Sequence, residues 1–316
     1  MSNVSTQNII LIGVGAAGTS HLEALESVPS VNVIAAVDIE PPPSVVFRKK
    51  EVPVYHSIPE VKRLRPDIVI VATPTPTHAV VCDEVTKYFP AVTIIVEKPA
   101  ADNLHDAQRL LDGRKRPQPV IVAFHMAFAP EVRWALNAVT ARKSALGHPI
   151  SVQSWSGDPY IFDDTAESTF GNSWIDSGIN ALSVIDLFVN VVNRRSLRQL
   201  GRSSWSIFEG AFGCKSGSYQ LEASVLTSWY VTDSTRSTRI RYSSGAEVVM
   251  DHNAVAGYIV EGGRTTDVFG SNGTVPRRTS HYKQLYQSWL VNNHPVSSPG
   301  TALRLHTLLL SPIDDA

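Results

Sequence analysis

The sequence predicts a two-domain α/β protein, a doubly wound parallel sheet followed by an α+β domain built on a large open, mostly antiparallel sheet. Three observations carry this prediction. The length, 316 residues, corresponds to about two domains at ~150 residues each. Up to residue 123, short β-branched runs alternate with helical patterns, as a sheet covered by helices on both faces requires. Beyond residue 203, strand-like segments follow one another at hairpin spacing with one apolar face. The boundaries read as 1–123 and 124–316.

Buried strands are predicted in order at 9–12 (IILI), 31–37 (VNVIAAV), 68–72 (IVIVA), 93–96 (TIIV) and 120–123 (VIVA). Helices are predicted between them at 18–26, 77–88 and 103–111, the last stopped by Gly113. A short helix starts at the capping-box sequence Ser57-Ile58-Pro59-Glu60. Repeated strand-then-helix units imply right-handed crossovers. The second domain reads as a helix at 131–141, a strand at 150–156, a polar loop at 157–173 and a helix at 175–192. Strands then follow at 203–208, 219–229, 238–242, 247–251, 258–261 and 266–270, and helices at 277–291 and 301–310 close the chain. Leu221, Ala223 and Val225 alternate with Gln220, Glu222 and Ser224, so one face of this sheet is covered and the other is left for an interface.

Composition narrows the function classes. Lys and Arg number 28 and Asp and Glu 29, a formal charge of −1, which supplies no field for grasping nucleic acid or an anionic membrane surface. The charged fraction of 18% and apolar fraction of 43% describe a well-buried globular chain. Two cysteines, Cys82 and Cys214, are too few for a disulfide framework or a cysteine metal site and fit a reducing compartment. Residues 1–7 lack the basic stretch of an export signal. No apolar run approaches the ~20 residues needed to span a bilayer, and a cytoplasmic location is expected.

Gly13-Val14-Gly15-Ala16-Ala17-Gly18 follows the first strand and opens an apolar-periodic helix, and Asp38 stands 20 residues after Gly18 at the end of the next strand. This is the context that a dinucleotide-binding fold requires. Gly13 permits the tight turn, Gly15 lets backbone approach a pyrophosphate, and Gly18 allows close helix-strand packing. The helix start at Ala16 and Ala17 offers orphan N–H groups to the anion. A carboxylate at Asp38 accepts both ribose hydroxyls and repels a 2′-phosphate. Neither Ile39 nor Glu40 offsets that repulsion, so NAD is preferred over NADP.

Two further strands end in Thr73-Pro74-Thr75-Pro76-Thr77-His78 and in Glu97-Lys98-Pro99, at the sheet edge where open α/β folds bind ligands. Lys98 places an ammonium where it can hydrogen-bond a reacting oxygen and stabilise alkoxide charge, with Glu97 as its electrostatic neighbour. Asp176 and Asn180 are spaced to share one face of the helix at 175–192. Trp174 next to them can stack on a sugar ring or pack in a core. The acidic loop residues Asp158, Tyr160, Asp163, Asp164 and Glu167 can contact hydroxyls or simply be solvated. No His or Asp spacing suits zinc, and no metal is predicted.

Together the GxGxxG element, Asp38, the TPTPTH stretch and the Glu97-Lys98-Pro99 triplet resemble the Gfo/Idh/MocA oxidoreductases over nearly the whole chain. The resemblance implies a Rossmann domain, an α+β domain whose open sheet joins copies into dimers or tetramers, and Lys98 reaching the substrate hydroxyl. It also implies that Thr73, Pro74, Thr75, His78 and Glu97 line the nicotinamide side, with Asp38 and Ile39 completing the cofactor set. Asp176-Ser177-Gly178-Ile179-Asn180 is similar to the family's DxGxHxxD motif, with Asn180 at the histidine position. An amide cannot titrate, so proton transfer falls to Asp176 while Asn180 and Lys98 orient the substrate. This variant, with Phe124-His125-Met126-Ala127-Phe128-Ala129-Pro130, resembles the aldose 1-dehydrogenase branch, the L-arabinose and D-galactose dehydrogenases. It implies oxidation of a sugar or sugar-like polyol, with His125 at the sugar. Two alternatives stay open: a reductase of a keto-sugar or imine intermediate in secondary metabolism, and a non-catalytic nucleotide-sensing regulator of the same fold.

Overall fold

Ile9, Ile10, Leu11 and Ile12 are buried because β1 (Gln7–Ile12) runs through the middle of a seven-stranded sheet. A computed structural model of the protein describes residues 6–113, 118, 120–214, 217–270, 273–292, 294 and 296–312; the stretch 1–5, weighed above for an export signal, lies outside them. With β2 (Val31–Val37), β3 (Ser44–Phe47), β4 (Lys50–Tyr55), β5 (Ile68–Val71), β6 (Thr93–Glu97) and β7 (Val120–Ala123), the order is β3-β4-β2-β1-β5-β6-β7. All neighbours are parallel except β3 and β4. Helices α1 (Ala16–Leu25), α2 (His78–Tyr88) and α3 (Leu104–Leu111) connect the strands. Asn103 caps α3 through its Oδ1, which accepts the Asp106 N–H at 2.9 Å. Ser57 Oγ donates to Glu60 Oε1 at 2.7 Å across a 3-10 turn, Ile58–Val61.

The β3–β4 hairpin is absent from the sequence prediction. Its turn places Arg48 (φ 50) and Lys49 (φ 64) in the left-handed region, where Asn-Gly would have announced a hairpin. Arg48 offsets the backbone cost with its guanidinium, which donates to Val31 O at 2.9 Å and to the carbonyls of Leu25 and Val28 at the end of α1.

The second unit contains α4 (Pro130–Ala141), α5 (Lys143–Leu146), α6 (Ala166–Phe170) and α7 (Ile179–Phe188). Its eight strands are β8 (Pro149–Gly157), β9 (Asn190–Leu200), β10 (Ser203–Cys214), β11 (Gly217–Ser228), β12 (Thr235–Tyr242), β13 (Glu247–Asp251), β14 (Ala256–Glu261) and β15 (Arg264–Gly270). The order is β15-β14-β13-β12-β8-β11-β10-β9, antiparallel except where β8 runs parallel to β11. Helices α4 and α7 pack on one face, where Leu221, Ala223 and Val225 are buried. On the other face Trp205, Leu226, Tyr258 and Val268 remain exposed. The predicted helix at 175–192 ends instead at Phe188, because Val189 turns to extended backbone (φ −143, ψ 136) and leads into β9. Val189, Val191 and Val192 are β-branched and favour that conformation.

The chain divides into two compact units, 1–124 with 278–307, and 125–277 with 308–316. The first change of unit lies beside the predicted boundary, but 278–307, placed by sequence with the second domain, belongs with the first. Here α8 (Arg277–Tyr286) and the part of α9 (Pro299–Leu310) up to Thr307 supply polar anchors. Thr279 Oγ1 donates to Glu23 at 2.7 Å. His306, wholly buried, has Nδ1 at 2.8 Å from Ala302 O, while its Nε2 accepts the Ala100 N–H at 2.9 Å.

Burial holds His306 down to about 4, so folding keeps it neutral while the unfolded chain protonates it near 6.5. Its contribution to stability is therefore complete above pH 6.5 and is lost between pH 6.5 and 4, on the order of 3 kcal/mol. Urea unfolding at stepped pH is expected to show this fall in the wild type and a flatter profile in His306→Asn; equal slopes would refute it.

Candidate active site

The site in the first unit begins where β1 and β5 end. These strands are neighbours at the point where the strand order reverses, the place at which open α/β sheets form a ligand crevice. Gly13 has φ +92, and a Cβ there would lie 2.6 Å from Ala72 O. A Cβ on Gly18 would lie 2.0 Å from Gly13 O. Gly15 differs: it is exposed, and a Cβ there would meet no protein atom within 4 Å. Two glycines thus serve the fold, while the third leaves open space before Ala16 and Ala17, whose N–H groups open α1 without intrahelical partners.

Asp38 is clamped beside this turn. Its Oδ2 accepts the Val14 N–H at 2.8 Å, its Oδ1 accepts the Glu40 N–H at 3.0 Å, and its own N–H donates to Tyr55 O at 2.9 Å. The carboxylate keeps lone pairs for further donors. Ile39 beside it is 87% exposed. These residues fit the adenosine and diphosphate of NAD: open space at Gly15, helix-start donors, and an acid for ribose hydroxyls.

Beyond β5, Thr73 and Pro74 lead into a 3-10 turn, Thr75–Thr77. Thr77 Oγ1 lies 2.7 Å from Pro74 O and 2.8 Å from Thr73 Oγ1. His78 does not belong with the cofactor contacts predicted for it. It is fully buried, with Nδ1 at 3.0 Å from Pro99 O and Nε2 at 2.8 Å from Thr73 O, so its ring ties two loops together and has no face for a ligand. Burial, only partly offset by the Thr73 carbonyl, holds it below the ordinary histidine range.

Glu97 is likewise buried and faces the protein interior. Its Oε1 lies 2.8 Å from His21 Nε2 and 2.5 Å from Tyr282 OH, and its Oε2 accepts the Lys98 N–H at 3.2 Å. It therefore lines no cofactor surface. Lys98 is half-buried beside the cis peptide to Pro99.

In the second unit a π-turn, Trp174–Gly178, precedes α7. Such widened turns recur at functional sites, and this one carries Asp176, which is half-buried. Asn172 starts it by accepting the Ile175 N–H at 2.9 Å. Trp174 is not a sugar platform: it is 2% exposed, donates from Nε1 to Leu309 O at 2.9 Å and stacks on Phe208. Core packing claimed this ring. Asn180 is 8% exposed, and its Oδ1 has no hydrogen-bond partner among the described residues. His125 is buried in a 3-10 turn, His125–Phe128, that packs against α7, the helix carrying Asn180. Asp158 is also buried: it accepts from Ser177 Oγ at 2.8 Å and pairs with Arg236. The sequence leaves Asp158 open between hydroxyl contact and solvation because its partner Arg236 lies far along the chain.

Residues 7–124 match the GFO_IDH_MocA family model, described as an oxidoreductase family with an NAD-binding Rossmann fold. The first unit therefore carries a Rossmann fold of the kind that this NAD-binding oxidoreductase family has. Among curated proteins no sequence matches. Solved structures share the fold along the whole chain. A dehydrogenase from Chromobacterium violaceum is 17% identical, with a TM-score of 0.76 over 96% of this chain and 93% of that one. Levoglucosan dehydrogenase in complex with NADH and levoglucosan is 13% identical, with a TM-score of 0.75 over 96% and 95%. UDP-N-acetylglucosamine 3-dehydrogenase from Acidithiobacillus ferrooxidans is 15% identical, with a TM-score of 0.72 over 96% and 95%.

The glycines separate fold from binding. Gly15→Ala is expected to cost about 1 kcal/mol of stability or less yet weaken NAD binding about tenfold or more. Gly18→Ala is expected to destabilise by about 1–3 kcal/mol through its backbone clash. Thermal melts and NAD titration check both; a Gly15→Ala protein that binds NAD as wild type contradicts the assignment.

Proposed function

We propose that the protein is an NAD-dependent dehydrogenase of the Gfo/Idh/MocA family that oxidises a hydroxyl of a sugar or sugar-like polyol. The observation that carries the substrate class is Asn180. A buried amide oxygen without a donor costs about 1–3 kcal/mol, and a ligand rich in hydroxyls supplies the missing donor. The levoglucosan and UDP-N-acetylglucosamine enzymes, named for sugar substrates, support the same class.

NAD, held by the start of α1 and Asp38, would supply the hydride acceptor. Asp176 takes the proton of the reacting hydroxyl and becomes a carboxylic acid. Lys98 donates a hydrogen bond to the same oxygen and stabilises the charge that develops as the carbonyl forms. Asn180 Oδ1 accepts from a neighbouring hydroxyl, and His125 borders the substrate. In its sharper form the proposal is an aldose 1-dehydrogenase, in which the oxidised carbon is anomeric and the product a lactone. Asp38, with no guanidinium at Ile39 or Glu40, favours NAD over NADP.

The exposed apolar face of the second sheet, with Trp205, Leu226, Tyr258 and Val268 on one side, suits self-association into dimers or tetramers. Trp205→Glu is expected to lower the mass measured by light scattering; an unchanged monomer mass in both proteins rejects this.

Turnover tests the chemistry. NADH absorbance followed across aldoses, inositols and amino-sugars identifies the substrate, and absence of turnover with all of them leaves a regulator as the better reading. With that substrate, Asp176→Asn is expected to lower kcat by about 10²–10⁴-fold with NAD binding retained, and Asn180→Ala to raise KM for the sugar. Wild-type kcat in Asp176→Asn removes the base.

A further inference from the structure

Four buried polar side chains of the first unit have no step in this chemistry. Tyr286 OH lies 2.6 Å from His21 Nδ1, His21 Nε2 lies 2.8 Å from Glu97 Oε1, and Tyr282 OH lies 2.5 Å from the same oxygen. None of the four residues is more than 5% exposed. They come from three elements: His21 from α1, three residues after Gly18, Glu97 from the end of β6, and the tyrosines from α8. The His21 ring packs on Tyr282 with centroids 4.3 Å apart.

The chain of bonds has a direction. Burial and the Glu97 charge hold both tyrosines well above their ordinary range, so each hydroxyl keeps its proton and donates. Tyr286 then donates to His21 Nδ1, which leaves Nε2–H to donate to Glu97, and Tyr282 donates to the same carboxylate oxygen. Burial pushes Glu97 up, but the hydrogen bonds from His21 and the Tyr282 hydroxyl and the Lys98 charge outweigh it and hold the acid below its ordinary range. The other charged or titratable groups near this chain are His78 of α2 and Arg278 of α8.

The target of these bonds is the backbone that carries Lys98. Glu97 Oε2 accepts the Lys98 N–H, His78 holds Pro99 O, and His306 Nε2 holds the Ala100 N–H. Three successive residues are thus fixed by three buried side chains, an arrangement suited to presenting a reacting group.

We propose that the directed chain Tyr286–His21–Glu97–Tyr282 is a positioning device for Lys98, anchoring Glu97 so that its Oε2 holds the Lys98 N–H and fixes where that side chain begins. His21, Tyr282 and Tyr286 are then positioning residues that act through Glu97. This rests on the role given above to Lys98, but its first test needs neither substrate nor turnover.

Lysines of the full-length protein are labelled by reductive 13C-methylation, and the Lys98 signal is assigned from Lys98→Arg. Glu97→Gln is expected to shift and broaden the Lys98 methyl signal, because the carboxylate that holds the Lys98 N–H is lost. In 13C-glutamate-labelled protein, Tyr282→Phe and His21→Gln are expected to raise the Glu97 midpoint, because each removes a donor to the anion. Once a substrate is known, Glu97→Gln is expected to lower kcat by about 10²-fold with KM for NAD unchanged. An unmoved Lys98 signal in a folded, NAD-binding Glu97→Gln overturns the proposal. If Glu97→Gln does not fold, an unchanged Glu97 midpoint in the isosteric Tyr282→Phe overturns it instead. A moved Lys98 signal without turnover on any sugar upholds the device and refutes the dehydrogenase reading alone.

Discussion

At the ends of β1 and β5 two backbones approach more closely than any side chain permits. Gly13 meets Ala72, and Gly18 meets Gly13 in turn. This double contact sets where α1 begins, and therefore where its unpaired N–H groups lie and where Asp38 can reach across to Val14. Once β1 and β5 are locked at their ends, the loop after β5 is placed by the same constraint, and His78 carries that placement onward to Pro99. The cofactor crevice and the loop of Lys98 share one mechanical origin.

Holding that loop requires polar groups inside the protein, and burying polar groups is costly unless each finds a partner. The first unit meets this condition with residues from both ends of its sequence. His21 comes from the first helix, while Tyr282, Tyr286 and His306 come from the last two. That dependence gives a physical reason for 278–307 to belong with the N-terminal sheet. Without α8, Glu97 would be a buried acid lacking the Tyr282 donor and His21 would lose its Tyr286 partner; without α9, the Ala100 N–H would lose its acceptor.

Features governed by local chemistry were legible in the sequence. Continuous apolar runs became the five buried parallel strands, and the glycine spacing with Asp38 located the tight turn after β1 because a turn and a helix start are determined within a few residues. Three kinds of feature were not legible. The β3–β4 hairpin turns at Arg48 and Lys49, residues without turn preference, and is supported by carbonyls elsewhere in the chain. Trp174 stands beside Asp176 in sequence, but a π-turn and a carbonyl at Leu309 send its ring into the core. His78 and Glu97 belong to motifs that resemblance associates with the cofactor, yet their side chains turn inward, and only three-dimensional neighbours reveal it. His21 gave one usable signal, a titratable residue on the apolar side of α1.

The distribution of charge follows from the same logic. Asn180 cannot ionise, so the buried start of α7 carries a fixed amide dipole where a histidine would bring a proton that comes and goes. The nearby acid Asp158 is neutralised by Arg236 and held by Ser177, which removes another group that could compete for a proton. In the first unit His306 is kept neutral by burial, and Glu97 is kept ionised by its donors. Within each unit these groups are thus restricted to one protonation state near neutral pH. A hydride-transfer site benefits from this restriction, because a proton shared among several acceptors would leave the reacting oxygen without a defined base.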